Sequence, residues 1–509
     1  MVVMKRYFSA IAALLAFSGL ALSQSALAAN PAQTKRSSKA AKAVQSKMNS
    51  VGMKYLNDNF TTYHNLSLVL HGYAETGYNE TRSADALVKH LEDNGFKVER
   101  GVAGLPTAYI ATFGSGSPVI GILTEYDALP GLAQDTVPYR SIPEDTPNGA
   151  GHGCGHNLMG TGSTAAAVAI SKWLAEGHQG TLKVFGCPAE EGGGGKAYMV
   201  REGCFDGVDA MLDWHTSSSN SATPSTGLAN VRVRFEFIGT PSHAAASPEK
   251  GRSALDAVEA FDYMINLMRE HVPSNSRIHY VITDGGAAPN VVPDHAEVLY
   301  YFRHPSRTVV MDLLERAVKA AEGAAMGTGT TMKYEIMNGN YEKLTNRALA
   351  TVMHDNMDLV GGLVLDARET AFALELMRNS GVTDTEAALE KMRTVKPLGP
   401  DGAGGGSSDV GNVAWVVPTS SISVATFIPG CGGLHSWQAT ATGGTTIGTK
   451  GFLNLAKIYY LTAFDLYQNH DKIQEIKDEF EKKRGADFKF IPLMGDRKPP
   501  LDYNIDTRY

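Results

Sequence analysis

The chain has 509 residues, more than one hydrophobic core usually serves, so at least two domains are expected. Hydrophobic residues make up 43% and charged ones 19%, the make-up of an ordinary globular protein. A net charge of −7 and no Lys/Arg block exclude a basic field for nucleic acid and a polybasic membrane patch.

Lys5 and Arg6 precede an apolar run over residues 10–22, and Ala26-Leu27-Ala28 is a small-x-small cleavage site. This is the pattern of a secretory signal peptide over residues 1–28, its apolar run too short to span a bilayer. The mature chain is expected to begin at Ala29, to be periplasmic or secreted, and to keep no membrane association after cleavage. Residues 29–43 read as a flexible lead. Four cysteines are too few for a disulfide scaffold in an exported chain. Cys154 reads as a metal ligand. Cys187, Cys204 and Cys431 read as buried thiols, with one oxidised pair left open.

Helical patterning covers residues 44–73 and 83–94, the second with Ser83 as candidate N-cap. Strands are expected from residue 97, over 108–113 and over 119–123, the last running into Glu125-Tyr126-Asp127-Ala128-Leu129-Pro130. The loop Gly151-His152-Gly153-Cys154-Gly155-His156-Asn157 follows. Imidazole and thiolate are common ligands of zinc-like ions, and glycine lets backbone approach closely. An Ala-rich helix is expected over 158–175. A strand over 182–186 ends in Pro188-Ala189-Glu190-Glu191, and one over 208–212 ends in Asp213-Trp214-His215. Strands and helices thus alternate, and polar residues gather past strand C-terminal ends, where open α/β sheets place their sites. Gly192 to Gly195 with Lys196 fail the phosphate-loop spacing, since Glu190 stands where the first glycine belongs and Ala197 where Ser or Thr belongs. The run reads as flexible backbone beside the glutamates.

From residue 231 the pattern becomes strict alternation, then a helix over 253–271, strands over 278–283 and 297–303, a helix over 309–324 and a strand over 331–336. This β-α-β-β-α-β order is ferredoxin-like. The apolar face of the helix over 253–271, at Val258, Phe261, Met264, Ile265 and Met268, needs covering, and pairing of two copies along an open sheet edge is one way to cover it. The chain divides into a catalytic domain over 44–229 and 345–485, an insertion over 230–344, and a tail over 486–509 with no assigned role. A strand over 421–425 leads to Gly430-Cys431-Gly432-Gly433-Leu434-His435-Ser436, and a helix over 450–467 closes the fold.

Cys154 with His156, Glu190 with Glu191, His215 and His435 form one candidate site. Adjacent glutamates repel each other. A metal on one carboxylate relieves that and leaves the other as general base for an activated water. Each residue alone has a plainer reading: a buried thiol, a solvated glutamate pair, a core histidine. The joint pattern carries the argument. Gly-x-Gly-Cys-Gly-His, Pro-x-Glu-Glu, His215, Pro-Ser-His-Ala-Ala-x-x-Pro and Leu-His-Ser resemble the co-catalytic metallo-amidohydrolases related to aminoacylase and carboxypeptidase G. Within them they resemble the amidohydrolase branch, and the segments from Arg252 and Tyr300 resemble its p-aminobenzoyl-glutamate hydrolases.

The resemblance implies a three-layer metallopeptidase-like α/β catalytic domain with a ferredoxin-like lid and dimerisation domain. It implies two divalent ions, zinc or manganese, bridged by Cys154. His156 and His215 would complete one ion, Glu191 and His435 the other. Glu190 would be the base and Asp127 would support the ligands. His243 would steady the oxyanion from across a dimer, and Asn290 and Arg303 would bind substrate, Arg303 suiting a carboxylate through its planar fork. Read singly, Arg303 could instead pair with an acid on its own sheet, and Asn290 could be a turn residue. Asn157 departs from the Asp of indole-type enzymes, which weakens transfer of an indole substrate. The implied activity is amide hydrolysis of N-acyl amino acids, with a dipeptidase, an N-acyl-amino-acid deacylase or a non-catalytic partner subunit as alternatives. The implied assembly is a homodimer, or a hetero-oligomer with a related subunit. Mass spectrometry of the exported protein is expected to find a chain beginning at Ala29; an intact Met1 terminus would remove the leader from this account.

Overall fold

Among the described residues ten strands build two sheets. They are β1 (Lys97–Arg100), β2 (Tyr109–Ser115), β3 (Val119–Thr124), β4 (Gly180–Gly186), β5 (Ala210–Ser217), β6 (Ala229–Ile238), β7 (Arg277–Asp284), β8 (His295–His304), β9 (Thr331–Asn340) and β10 (Thr419–Ala425). The first sheet has the order β1-β2-β4-β3-β5-β10, the second β7-β8-β6-β9. In the first, β4, β3, β5 and β10 run parallel, and β2 and β1 are antiparallel additions. The second is antiparallel throughout, with the strand order of a ferredoxin-like domain. The computed structural model describes residues 42, 44–144 and 149–502. The expected signal peptide, nearly all of the lead and the last seven residues of the tail lie outside them. Residues up to Asn49 form a unit of their own, helical over 44–48; all else described here belongs to the unit from Ser50. Among the described residues no helix is long and apolar enough to cross a membrane.

Parallel strands need a crossover, and the one between β3 and β4 is the helix His156–Leu174. Of its 19 residues only Lys172 is not buried. Such a helix lies inside, its polar groups satisfied locally, as where Thr161 donates to the Asn157 carbonyl and Ser171 to that of Val168. The small residues Ala165 to Ala169 let it pack between the sheet and the helices Thr446–Gln468, Val51–Asp58 and Phe60–Tyr73. The opposite face of the sheet buries Leu123, Phe185 and Met211 against Ala197, Met199 and Val413. The helix starts two residues before the expected 158, so His156 sits in its first turn. β5 runs on to Ser217, so His215 lies within the strand instead of past it. Ser83 is not the N-cap of its helix, which spans Thr81–Asp93. The Glu75 carboxylate accepts from the backbone N–H of Arg82 at 3.2 Å and of Ser83 at 2.8 Å, serving the orphan donors of that turn.

In the second sheet the alternation on β6 places Val231, Val233, Phe235 and Phe237 on the face covered by the helices Ala254–Met268 and Arg307–Thr328. Val258, Phe261 and Ile265 are therefore covered by their own sheet and need no second copy, contrary to expectation. Among the apolar residues still exposed are Tyr263, Met264 and Leu267 on the first helix and Tyr280, Val281 and Ile282 on edge strand β7.

The charged segment after residue 468 is the helix His470–Arg484, and the tail beyond it is packed. Phe488 meets Trp415 with ring centroids 4.9 Å apart, and Phe490 meets Tyr341 at 5.0 Å. Arg497 Nε pairs with Glu335 Oε1 on β9 at 2.6 Å, and its carbonyl accepts from Arg201 Nη1 at 2.7 Å. Met494 is buried in the core beneath the first sheet. The tail thus fastens the second sheet to the helix Gly195–Arg201 of the first. Met494→Ala is expected to cost ~2–5 kcal/mol through the cavity it leaves. Urea unfolding measures this, and an unchanged midpoint would mean the tail contributes nothing to the core.

Candidate metal centre

The candidate residues stand at the C-terminal ends of the parallel strands. Glu125 and Asp127 follow β3, Glu190 and Glu191 follow β4, His215 is near the end of β5, and His435 lies on the loop after β10. Gly155, with φ +77°, turns the chain between Cys154 and His156. A Cβ there would stand 2.7 Å from Phe427 Cζ and 2.8 Å from Thr216 Cγ2, so only glycine fits. Ala189, just before Glu190, and His435 itself take φ of 57° and 58°. Left-handed backbone costs a non-glycine residue about 1–3 kcal/mol and gathers at functional sites.

Cys154, His156 and His215 offer ligand atoms that all lie within 4.8 Å of one another, and so do Cys154, Glu191 and His435. The two triads share one sulfur. Cys154 Sγ is 3.6 Å from His215 Nε2, and His435 Nε2 is 3.2 Å from Glu191 Oε1. Ligands bound at ~2.0–2.3 Å to one tetrahedral ion stand roughly 3.3–3.7 Å apart, so these spacings suit shared ions. Burial raises the Cys154 thiol well above its ordinary range. A coordinated cation is what makes such a thiol a thiolate at neutral pH.

Asp127 orients both triads. Its Oδ1 is 2.8 Å from His156 Nδ1, and its Oδ2 accepts from the Glu191 backbone N–H at 2.9 Å. With Nδ1 turned to Asp127, Nε2 faces the site; burial would lower the ring, but Cys154 and Asp127 hold it well above its ordinary value, and a bound cation would take the Nε2 lone pair in place of a proton. His215 Nδ1 likewise lies 3.0 Å from the Thr216 carbonyl, leaving Nε2 toward Cys154.

The adjacent glutamates are driven apart. Burial, with the charges of Glu125 and Glu191 added, pushes Glu190 well above the usual carboxyl range. Burial would raise Glu191 too, but its hydrogen bond from His435 and the charge of His156 bring it down to about 2. A pair of carboxyls split in this way separates a proton acceptor from a permanent anion.

Behind the site lies a charge network that no sequence motif announces. Lys196 is fully buried; its Nζ stands 2.6 Å from both Glu125 Oε1 and Asp409 Oδ1, and its backbone N–H reaches Asp409 Oδ2 at 3.0 Å. The Gly192 to Gly195 run is accordingly not flexible backbone: Gly194 donates to Ala189, and Gly195 and Lys196 open a helix. Burial would lower Lys196, but Asp409 and Glu125 hold it well above its ordinary value. Glu125 also forms a third cluster with His156 and Glu190. Three residues drawn from positions 125, 196 and 409 leave no local sequence signal. The one hint is a lysine in a glycine run that serves no phosphate loop.

The three residues expected from the second domain stand apart from this cluster. Among the described residues no hydrogen bond or ion pair joins His243, Asn290 or Arg303 to a ligand. His243 and Asn290 are exposed neighbours on two loops laced together by the bond from Ala244 N to Asn290 O at 3.1 Å and a bridge between His243 and Val291. The ring of His243 accepts at Nδ1 from the N–H groups of Ala245 and Ala246, at 3.2 and 3.1 Å. Arg303 on β8 donates to Ser407 Oγ at 2.9 Å and lies over the Tyr301 ring, 4.6 Å from its centroid.

Residues 121–439 match Peptidase family M20/M25/M40. The chain is 39% identical over 434 residues to a subunit of the p-aminobenzoyl-glutamate hydrolase of Escherichia coli K12, covering 81% of this chain and 90% of that one. It is 29% identical over 433 residues to the Xaa-Arg dipeptidase of Mus musculus, covering 82% and 88%. The fold is also that of the aminobenzoyl-glutamate utilization protein of Klebsiella pneumoniae, with a TM-score of 0.55 at 18% identity over 80% of this chain and 97% of that one. The matched stretch runs from β3 to just past His435, holding both triads and the whole second sheet, and the chain belongs to Peptidase family M20/M25/M40.

Proposed function

We propose that this chain is a metal-dependent amidohydrolase of the p-aminobenzoyl-glutamate type, cleaving the amide bond of N-acyl amino acids that keep a free carboxylate. Membership of its family makes it a metallo-hydrolase of amide or peptide bonds. The observation that carries the finer reading is the pair of ligand triads joined through Cys154. Cys154, His156 and His215 would hold one divalent ion, and Cys154, Glu191 and His435 a second. Thiolate and imidazole favour zinc, with manganese the other candidate. Such ions supply a water whose pKa falls to ~7 and polarise the scissile carbonyl.

The remaining chemistry falls to the chain's own side chains. Glu190 belongs to neither triad; it takes the proton of the water and passes it to the leaving nitrogen, a role worth ~10²–10⁴-fold. His243 accepts at Nδ1, so its neutral ring carries the proton on Nε2, the donor that a tetrahedral oxyanion needs. Arg303 faces no acid across its strand pairs, where its partners are Asn230 and Arg277, and its bond goes to a neutral hydroxyl. A guanidinium held this way suits a substrate carboxylate, with Asn290 as a second contact. The leader over residues 1–28 would place the activity in the periplasm or outside the cell.

A dipeptidase is the second reading, favoured by the likeness to the mouse Xaa-Arg dipeptidase. A free carboxylate is common to both substrates, so Arg303 has the same work in each. The Escherichia coli relative is one subunit of its enzyme, which supports a partner chain. Glu190 beside two complete triads argues that this chain is itself active. Exposed apolar residues on the helix Ala254–Met268 (Tyr263, Leu267) and on edge strand β7 (Tyr280, Ile282) support pairing of two copies, with His243 serving the partner's site.

Purified protein, stripped and reloaded with zinc or manganese, is expected to release the amine from N-acyl amino acids such as p-aminobenzoyl-glutamate. Glu190→Gln should keep its metal and lose at least ~10²-fold in turnover, while Glu191→Gln should lose metal as well. The reverse pattern of metal content would exchange the two roles, and inactivity on every acyl amino acid and dipeptide would leave the partner-subunit reading. Mixing Glu190→Ala chains with His243→Ala chains should restore roughly a quarter of wild-type activity, because half of randomly paired two-fold dimers gain one whole site. No recovery after demonstrated subunit exchange would confine His243 to its own chain.

A further inference from the structure

Beyond the five ligands of the two triads, Glu125 occupies a position that neither the triads nor the family match accounts for. It is buried, 2% exposed, at the end of β3. Its Oε1 is bound by Lys196, and its Oε2 has no hydrogen-bond partner. His156 Nε2 is also without one, although it lies only 3.4 Å from that oxygen. The His156 ring turns Nδ1 to Asp127, so Nε2 is the atom that faces Glu125. The two atoms face each other in a closed space with no hydrogen bond between them, and Glu190 completes a cluster of three possible ligands there.

The plain explanation is that Glu125 only balances the buried ammonium of Lys196. The contacts argue against it. Asp409 already meets Lys196 twice, at the ammonium and at the backbone N–H, and is itself fully buried. Two carboxylates thus share one ammonium, and Oε2 of Glu125 turns away from it toward His156 Nε2. A buried carboxylate oxygen without a hydrogen-bond partner is costly, and a cation on the open side of Glu125 would supply one. The spacing agrees: 3.4 Å is the separation expected, roughly 3.3–3.6 Å, for a nitrogen and an oxygen bound at ~2.0–2.2 Å to one tetrahedral ion.

We infer that Glu125 is a further ligand of the ion on the His156 and His215 side, held at that point by Lys196. Lys196 is then a positioning residue. Its ammonium engages Oε1, leaves Oε2 as the sole free oxygen of the carboxylate, and is itself anchored by Asp409. The inference rests on the two-ion reading above, and the test separates the two. Zinc is titrated calorimetrically into metal-free wild type and metal-free Glu125→Gln. Wild type should take two ions, and the variant should bind one of them at least ~10-fold more weakly with the other unchanged. Two ions bound by both proteins with equal affinity would overturn the role of Glu125 alone. A wild type that takes no ion would overturn the metal centre and this inference with it. Should Glu125→Gln fail to fold, crystals of zinc-loaded wild type decide the matter. Glu125 Oε2 within ~2.2 Å of an ion supports the assignment, and a separation beyond ~3 Å ends it.

Discussion

The carboxylate of Asp127 is the constraint on which the centre depends. The two triads come from different loops, and nothing in the sheet alone sets their register. Asp127 does so with two bonds, one to the ring of His156 and one to the backbone of Glu191. The first fixes which nitrogen of the imidazole faces the site; the second fixes where the Glu190–Glu191 pair sits relative to it. Because Asp127 is itself buried at the end of β3, any shift of that strand would move both triads together.

Left-handed backbone occurs at three points of the candidate site. Gly155, Ala189 and His435 all take left-handed φ, and each is a ligand or adjoins a candidate site residue. Ala189 and His435 cost free energy that glycine would spare, about 1–3 kcal/mol apiece. Their surroundings hold them there: the Ala189 N–H donates to Glu80 Oε1 at 2.8 Å, and the His435 N–H donates to the Gly153 carbonyl at 2.8 Å. The second of these bonds ties the loop after β10 directly to the loop carrying Cys154. The distortion lies past the ends of three strands, β3, β4 and β10, whose loops carry candidate ligands around one sulfur.

What is legible in the sequence is what is local in the chain. Cys154 with His156 and Glu190 with Glu191 are short motifs that end strands, and the alternation of β6 marks a one-sided sheet without any contact being known. His215 is harder to place, because β5 continues through polar residues to Ser217; there the strand lines a site as well as a core, and hydrophobic patterning stops signalling it. Ser83 looks like a cap and is not one, because the cap comes from the Glu75 side chain, and no spacing rule looks eight residues back for a glutamate. The tail carries no periodicity, since Phe488, Phe490 and Met494 each anchor it separately in an irregular path. The buried ion network is invisible for a different reason. Lys196 and Asp409 are 213 positions apart, and each alone reads as a surface residue.

That network also explains why the glycine-rich loop before Asp409 sits where it does. Asp409 is fixed by Lys196 on the floor of the first sheet, and two residues earlier Ser407 accepts from Arg303 of the second. Gly406 accepts from the Leu228 N–H at the point where the chain passes from one sheet to the other. One short stretch thus touches the metal side of the site through Lys196 and Glu125, and the candidate carboxylate side through Arg303. Its glycines leave much of that stretch without side chains, while Asp409, buried and bonded to both the ammonium and the backbone N–H of Lys196, holds its end in place. The loop is therefore pinned at its catalytic end and bare along much of its length. That combination joins the two candidate regions through one stretch of backbone, with Ser407 on the Arg303 side and Asp409 on the Lys196 side.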